Sequence, residues 1–76
     1  MYLKRLKNLR EDHDYTQEFV SKYLGINRVV YSRYENGYRE IKLTYLIKLS
    51  KLYNVSVDYL LNLTNIKNTN KEKQKI

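Results

Sequence analysis

Apolar residues in this chain recur at intervals of three and four, and each such run is bounded by a residue suited to a helix end. Leu3, Leu6 and Leu9 predict an amphipathic first helix over residues 2–12, with Lys4, Arg5, Lys7, Arg10 and Glu11-Asp12 on its other faces. It should end near His13-Asp14, although Asp accepts left-handed backbone less readily than Gly. Tyr15 is expected to pack beneath the start of the next helix. Further on, Leu43, Leu46, Ile47, Leu49 and Leu52 trace a broad apolar stripe while Lys48 and Lys51 face water, predicting a helix from about Lys42 or Leu43 to Asn54. Ser56 then caps a short last helix, Val57 to about Asn62, with Asp58 placed favourably against its dipole.

Between these lies the stretch Thr16 to Gly37, around which the rest is organised. Thr16 can cap a helix that buries Val20 and Leu24 and stops at Gly25. Asn27 caps another at once, Tyr31 and Tyr34 give it an inward face, and Asn36-Gly37 suits left-handed backbone at its end. Two short helices joined by a tight turn are the helix-turn-helix pattern. On the second of them Arg28, Val29, Ser32 and Arg33 project from the side opposite the tyrosines, a face suited to reading a partner. The fold expected is all-α, five helices and no strand.

The polar segment Tyr38-Arg39-Glu40 reads as an exposed loop, and from Thr64 to Ile76 the chain becomes polar and basic. That tail buries too little apolar surface to offset its ordering entropy, so the domain is expected to occupy residues 1–63 and residues 64–76 to be a flexible tail. Continuation of the last helix within a dimer is the exception considered.

Charge narrows the class of partner. A net +7 and an isoelectric point near 9.7 favour a polyanion, either a phosphate backbone or an anionic membrane surface. No apolar run is long enough to span a bilayer and the N-terminus has no apolar signal core, so a soluble, cytoplasmic chain is expected. With no cysteine and one histidine there is almost no ligand set for a transition metal, and no cofactor is expected. Nucleophile, base and orienting group cannot be assembled from His13, scattered serines and carboxylates that neighbour Lys or Arg, so no enzyme is predicted. Glu11, Asp12 and Asp14 read as a solvated acidic face. The nine tyrosines raise the alternative of stacking on single strands, but Tyr31, Tyr34, Tyr45, Tyr53 and Tyr59 fall on apolar helix faces and fit a core better.

Taken together, Arg10, Thr16-Gln17-Glu18, Leu24-Gly25, Ser32-Arg33-Tyr34-Glu35-Asn36-Gly37 and Val55-Ser56-Val57-Asp58-Tyr59-Leu60-Leu61 resemble the Cro/phage-repressor (XRE-type) helix-turn-helix family over roughly residues 3–63. The resemblance implies a lambda-repressor-like five-helix bundle whose third helix enters the major groove of double-stranded DNA. It implies base contacts from Arg28, Val29, Ser32 and Arg33, phosphate contacts from Gln17, Asn27, Asn36, Tyr38, Arg39 and Lys42, and a structural ion pair between Arg10 and Glu35. Phe19 departs from the family's capping-box Glu, Ser21 from its Ala, Tyr31 from an aliphatic residue, and Ile41-Lys42 from Pro-Ser. The function implied is a sequence-specific transcriptional regulator, a repressor that binds a palindromic operator as a homodimer. Val57, Leu60, Leu61, Leu63 and Ile66 are the candidate dimer surface, because the last helix carries more apolar residues than its own packing needs. Two alternatives stand beside this: an antitoxin or other module that also binds a protein partner, and a membrane binder using Lys4, Arg5, Lys7 and Arg10. The second conflicts with the need for the first helix's leucines in the core.

Overall fold

The computed structural model describes residues 2–67. Five helices follow in order: α1 (Lys4–Asp12), α2 (Gln17–Leu24), α3 (Arg28–Glu35), α4 (Leu43–Tyr53) and α5 (Val57–Leu60), with no strand among the described residues.

Their lengths are set largely at their ends. Three of the starts carry a side-chain cap: Thr16 Oγ1 accepts from the Phe19 amide at 3.0 Å, Asn27 Oδ1 from the Val29 amide at 2.6 Å, and Ser56 Oγ from the Tyr59 amide at 3.0 Å. All five C-termini close alike. A left-handed residue follows each helix: Asp14, Gly25, Gly37, Asn54 or Asn62. The residue after it donates its N–H back five positions, Tyr15 to Arg10, Ile26 to Ser21, Tyr38 to Arg33, Val55 to Ser50 and Leu63 to Asp58, at 2.9–3.0 Å. Each otherwise orphaned carbonyl is thereby satisfied.

One expected helix boundary moves for this reason. The last helix closes at Leu60, because Asn62 turns left-handed (φ 68°), instead of running to about Asn62. The chain then folds back instead of continuing as a helix. Arg5 of α1 donates to the Tyr59 and Thr64 carbonyls and to Asn65 Oδ1, with its guanidinium 4.0 Å from the centre of the Tyr59 ring, and the Ser56 amide donates to the Lys67 carbonyl. Residues 64–67 are thus tied to the bundle; the rest of the expected tail, 68–76, lies outside the described residues.

Leu3, Leu6 and Leu9 bury against Val20 and Leu24 of α2, Tyr31 of α3, Leu46, Leu49 and Tyr53 of α4, and Val55 and Leu60. α2 packs on α3, α4 on α5, and α1 touches both α3 and α5. The apolar stripe of α4 is narrower than expected, since Leu43 and Ile47 are 61% and 42% exposed. The candidate dimer set also needs correction. Leu60 is wholly buried in its own core and offers nothing to a second copy; Val57 and Leu61 are half-buried against that core, leaving Leu63 and Ile66 exposed.

Candidate nucleic-acid interface

The α3 helix has two unlike sides. Tyr31, Tyr34 and Glu35 are buried, whereas Arg28, Val29 and Arg33 are exposed and Ser32 is half-buried on the same side. This division follows from helical periodicity, which sets positions 28, 29, 32 and 33 within one arc. Neither Arg28 nor Arg33 joins an ion pair; among the described residues those are confined to Arg10 with Glu35 and Lys22 with Glu18. Two guanidiniums and an isopropyl group 49% exposed therefore face solvent side by side. Ser32 Oγ accepts from Asn36 Nδ2 at 3.3 Å, which ties two of the expected contact residues to each other.

The residues expected at phosphates are not placed alike. Tyr38 is 82% exposed, and Arg39 and Lys42 are exposed beside it, on the loop that turns away from α3. Lys42 begins α4 without a side-chain cap, so the first-turn N–H groups of that helix lack the partner that α2, α3 and α5 have. Asn27 Oδ1 is occupied in capping α3, and the Gln17 amide is turned inward, donating to Glu35 Oε1 at 3.0 Å.

Glu35 is the centre on which α1, α2 and α3 are tied. It is 1% exposed, and its oxygens accept from Arg10 Nε at 2.9 Å, Arg10 Nη2 at 3.1 Å, Tyr31 Oη at 2.7 Å and Gln17 Nε2 at 3.0 Å. Arg10 Nη1 donates onward to the Tyr15 carbonyl at 2.9 Å. Burial pushes the Glu35 carboxyl upward, but the donations from Arg10, Tyr31 and Gln17 together with the Arg10 charge outweigh it and hold the group below the usual carboxylate range. Arg10 is raised by its hydrogen bond to Glu35 against the cost of burial. The Tyr31 phenol is driven upward by burial first and then by its bond to, and the charge of, Glu35.

The family resemblance implies the Arg10–Glu35 pair, which the structure forms, but neither it nor the spacing gives the other two donors. Tyr31 stands four residues before Glu35 on one helix, so its hydroxyl was within reach of a periodicity argument. Gln17 lies on another helix, and Arg5, which clasps the segment after α5, meets partners more than fifty residues away; such contacts leave no local signal. At the α2 cap, Phe19 returns no side-chain bond to Thr16 and instead packs on Tyr15 with ring centres 4.5 Å apart. His13 Nδ1 lies 2.9 Å from the Leu9 carbonyl, with its ring against Tyr15 and Tyr53. Among the described residues there is no cavity, no acidic or histidine cluster able to hold a metal, and no helix long and apolar enough to cross a membrane.

Residues 6–60 match the helix-turn-helix family profile. The chain is 42% identical over 64 residues to the uncharacterized HTH-type transcriptional regulator YobD of Bacillus subtilis (strain 168), covering 84% of this chain and 57% of that protein. It is 48% identical over 58 residues to the HTH-type transcriptional regulator ImmR of the same organism, covering 76% and 46%. With the cryptic phage CTXphi transcriptional repressor RstR of Vibrio cholerae it shares 32% identity over 62 residues, 82% of this chain and 56% of that one. The chain thus spans about half the length of these curated relatives. No solved structure matches significantly.

Proposed function

Because this chain belongs to the XRE-type helix-turn-helix family, we propose that it regulates transcription by reading double-stranded DNA through the exposed face of α3. The observation that carries this reading is that face itself. Arg28 and Arg33, in no ion pair among the described residues, flank Val29 and Ser32 on a helix whose other side is locked into the bundle. Each guanidinium can donate two parallel bonds to guanine O6 and N7, worth about 1–3 kcal/mol of discrimination. Val29 offers only an apolar surface, which suits a thymine methyl. Tyr38, Arg39, Lys42 and the uncapped start of α4 take the flanking phosphates, with Gln17 at the start of α2 and Asn27 and Asn36 at the two ends of α3 completing the set.

One such domain covers one half-site. Sequence-specific binding then calls for two copies on an inverted repeat with half-site centres about 34 Å apart. Leu63 and Ile66, displayed on the segment held by Arg5, are the apolar contact offered to the second copy. Occupying such an operator blocks polymerase, which makes a repressor the regulatory sense of the proposal, as in the name of the relative RstR, a transcriptional repressor.

Anisotropy titrations over a range of KCl concentrations test it. The logarithm of affinity should fall linearly with the logarithm of salt, and Arg39→Ala or Lys42→Ala should each lower the slope by about one while leaving site preference unchanged. A salt-independent affinity, or none, would overturn the reading.

A further inference from the structure

The side-chain amide of Gln17 has two N–H bonds, and the structure uses one of them. Nε2 donates to Glu35 Oε1 at 3.0 Å, and among the described residues nothing accepts the second N–H. The carboxylate leaves no slack. Oε1 receives Arg10 Nη2 and Gln17 Nε2, Oε2 receives Arg10 Nε and Tyr31 Oη, and two donors fill each oxygen's acceptor sites. The amide cannot turn over, because its own oxygen would then face a buried anion. Gln17 is the first residue of α2, half-buried, where the positive end of the helix favours an anion.

We infer that Glu35 is a positioning residue for the phosphate contact of Gln17, holding one N–H inward so that the other is presented, already ordered, to a phosphate oxygen at the start of α2. The inference rests on the DNA-binding reading above. An unrestrained glutamine loses rotamer freedom when it meets a phosphate; this one has lost it on folding. Since Glu35 is also the last residue of α3, the same carboxylate fixes the phosphate anchor relative to the reading helix.

The test is a cycle between Gln17→Ala and a background in which the polar network is made apolar. Glu35→Ala alone would strand Arg10, so the background is Arg10→Met/Tyr31→Phe/Glu35→Leu, which removes charge and hydroxyl together at similar volume. In the native chain Gln17→Ala should weaken duplex binding about 3- to 10-fold, the range of one ordinary solvent-competed hydrogen bond. A methylphosphonate at the facing phosphate should do the same. In the apolar background both losses should shrink below about 2-fold while the Arg39→Ala effect stays. Full persistence of the Gln17 effect there would overturn the inference. A second measurement works in the native chain whether or not the background folds. On adding duplex, one Gln17 side-chain amide proton should shift in the nitrogen-15 spectrum while its geminal partner, bonded to Glu35, stays; equal movement of both overturns the inference. If the duplex binds and Gln17→Ala changes nothing, the inference fails and the DNA reading stands. If no duplex binds, the reading itself has failed.

Discussion

Glu35 and Tyr53 show opposite fates of a buried polar group. Glu35 is saturated with donors, and its carboxyl is held below the ordinary value near 4.3. A depressed carboxyl contributes stability that is fully present above the unfolded value and is lost as pH falls through the folded one. The urea midpoint should therefore drop as pH is lowered below about 4, and a Glu35→Gln variant should show a flatter acid limb. Glu35→Ala should cost about 3 kcal/mol at neutral pH, because it leaves Arg10 without its partner. Tyr53 is the reverse case. Its hydroxyl is buried with no hydrogen-bond partner among the described residues, and burial raises its phenol well above the ordinary value. Tyr53→Phe removes an uncompensated group while keeping the ring against His13 and Tyr15, so it should leave the urea midpoint unchanged or raise stability by about 1 kcal/mol. A clear loss would mean the hydroxyl has a partner after all.

At the scale of the helices, the repeated closure explains both what could be read beforehand and what could not. Glycine at 25 and 37 announces a left-handed residue, and Asn54 does so nearly as well. Asp14 adopts the same backbone at the expected end of α1 although Asp signals it less strongly than Gly, and Asn62, an Asn like Asn54, adopts it after Leu61, which is why the last helix is shorter than its apolar residues suggest. Helix existence, the caps at Thr16, Asn27 and Ser56, and the two sides of α3 follow from local spacing and were legible. The exposure of Leu43 and Ile47, the burial of Leu60 and the inward turn of Gln17 depend on which helix packs where, and no single stretch encodes that. Gly25 isolates the backbone term cleanly. A Cβ there would meet nothing within 4 Å, so Gly25→Ala should cost about 1–2 kcal/mol through its φ of +76° alone. Asp14→Gly should be close to neutral or mildly stabilising, since relief of that same strain works against added freedom in the unfolded chain. Chemical denaturation of both variants checks the pair, and a Gly25→Ala variant as stable as the parent would remove the strain argument.

For the whole molecule, the proposed reading and assembly surfaces lie on different parts of the bundle. α3 and the loop after it carry the exposed Arg28, Arg33, Arg39 and Lys42, while the segment after α5, clasped by Arg5, carries Leu63 and Ile66. Substituting both with Glu should abolish self-association in sedimentation at high micromolar concentration and reduce affinity for an inverted repeat far more than for a single half-site. Arg5→Ala should speed amide exchange at Ser56, whose N–H is covered only while Lys67 is held back. The most direct test of the account is selection from a randomised duplex pool, run in parallel with the native chain and Arg28→Ala and sequenced. The native chain should enrich an inverted repeat, and the substitution should relax one base position in each half-site while leaving the rest of the repeat intact. Equal binding of all duplexes by both proteins would mean that α3 meets only phosphate, and would contradict direct readout.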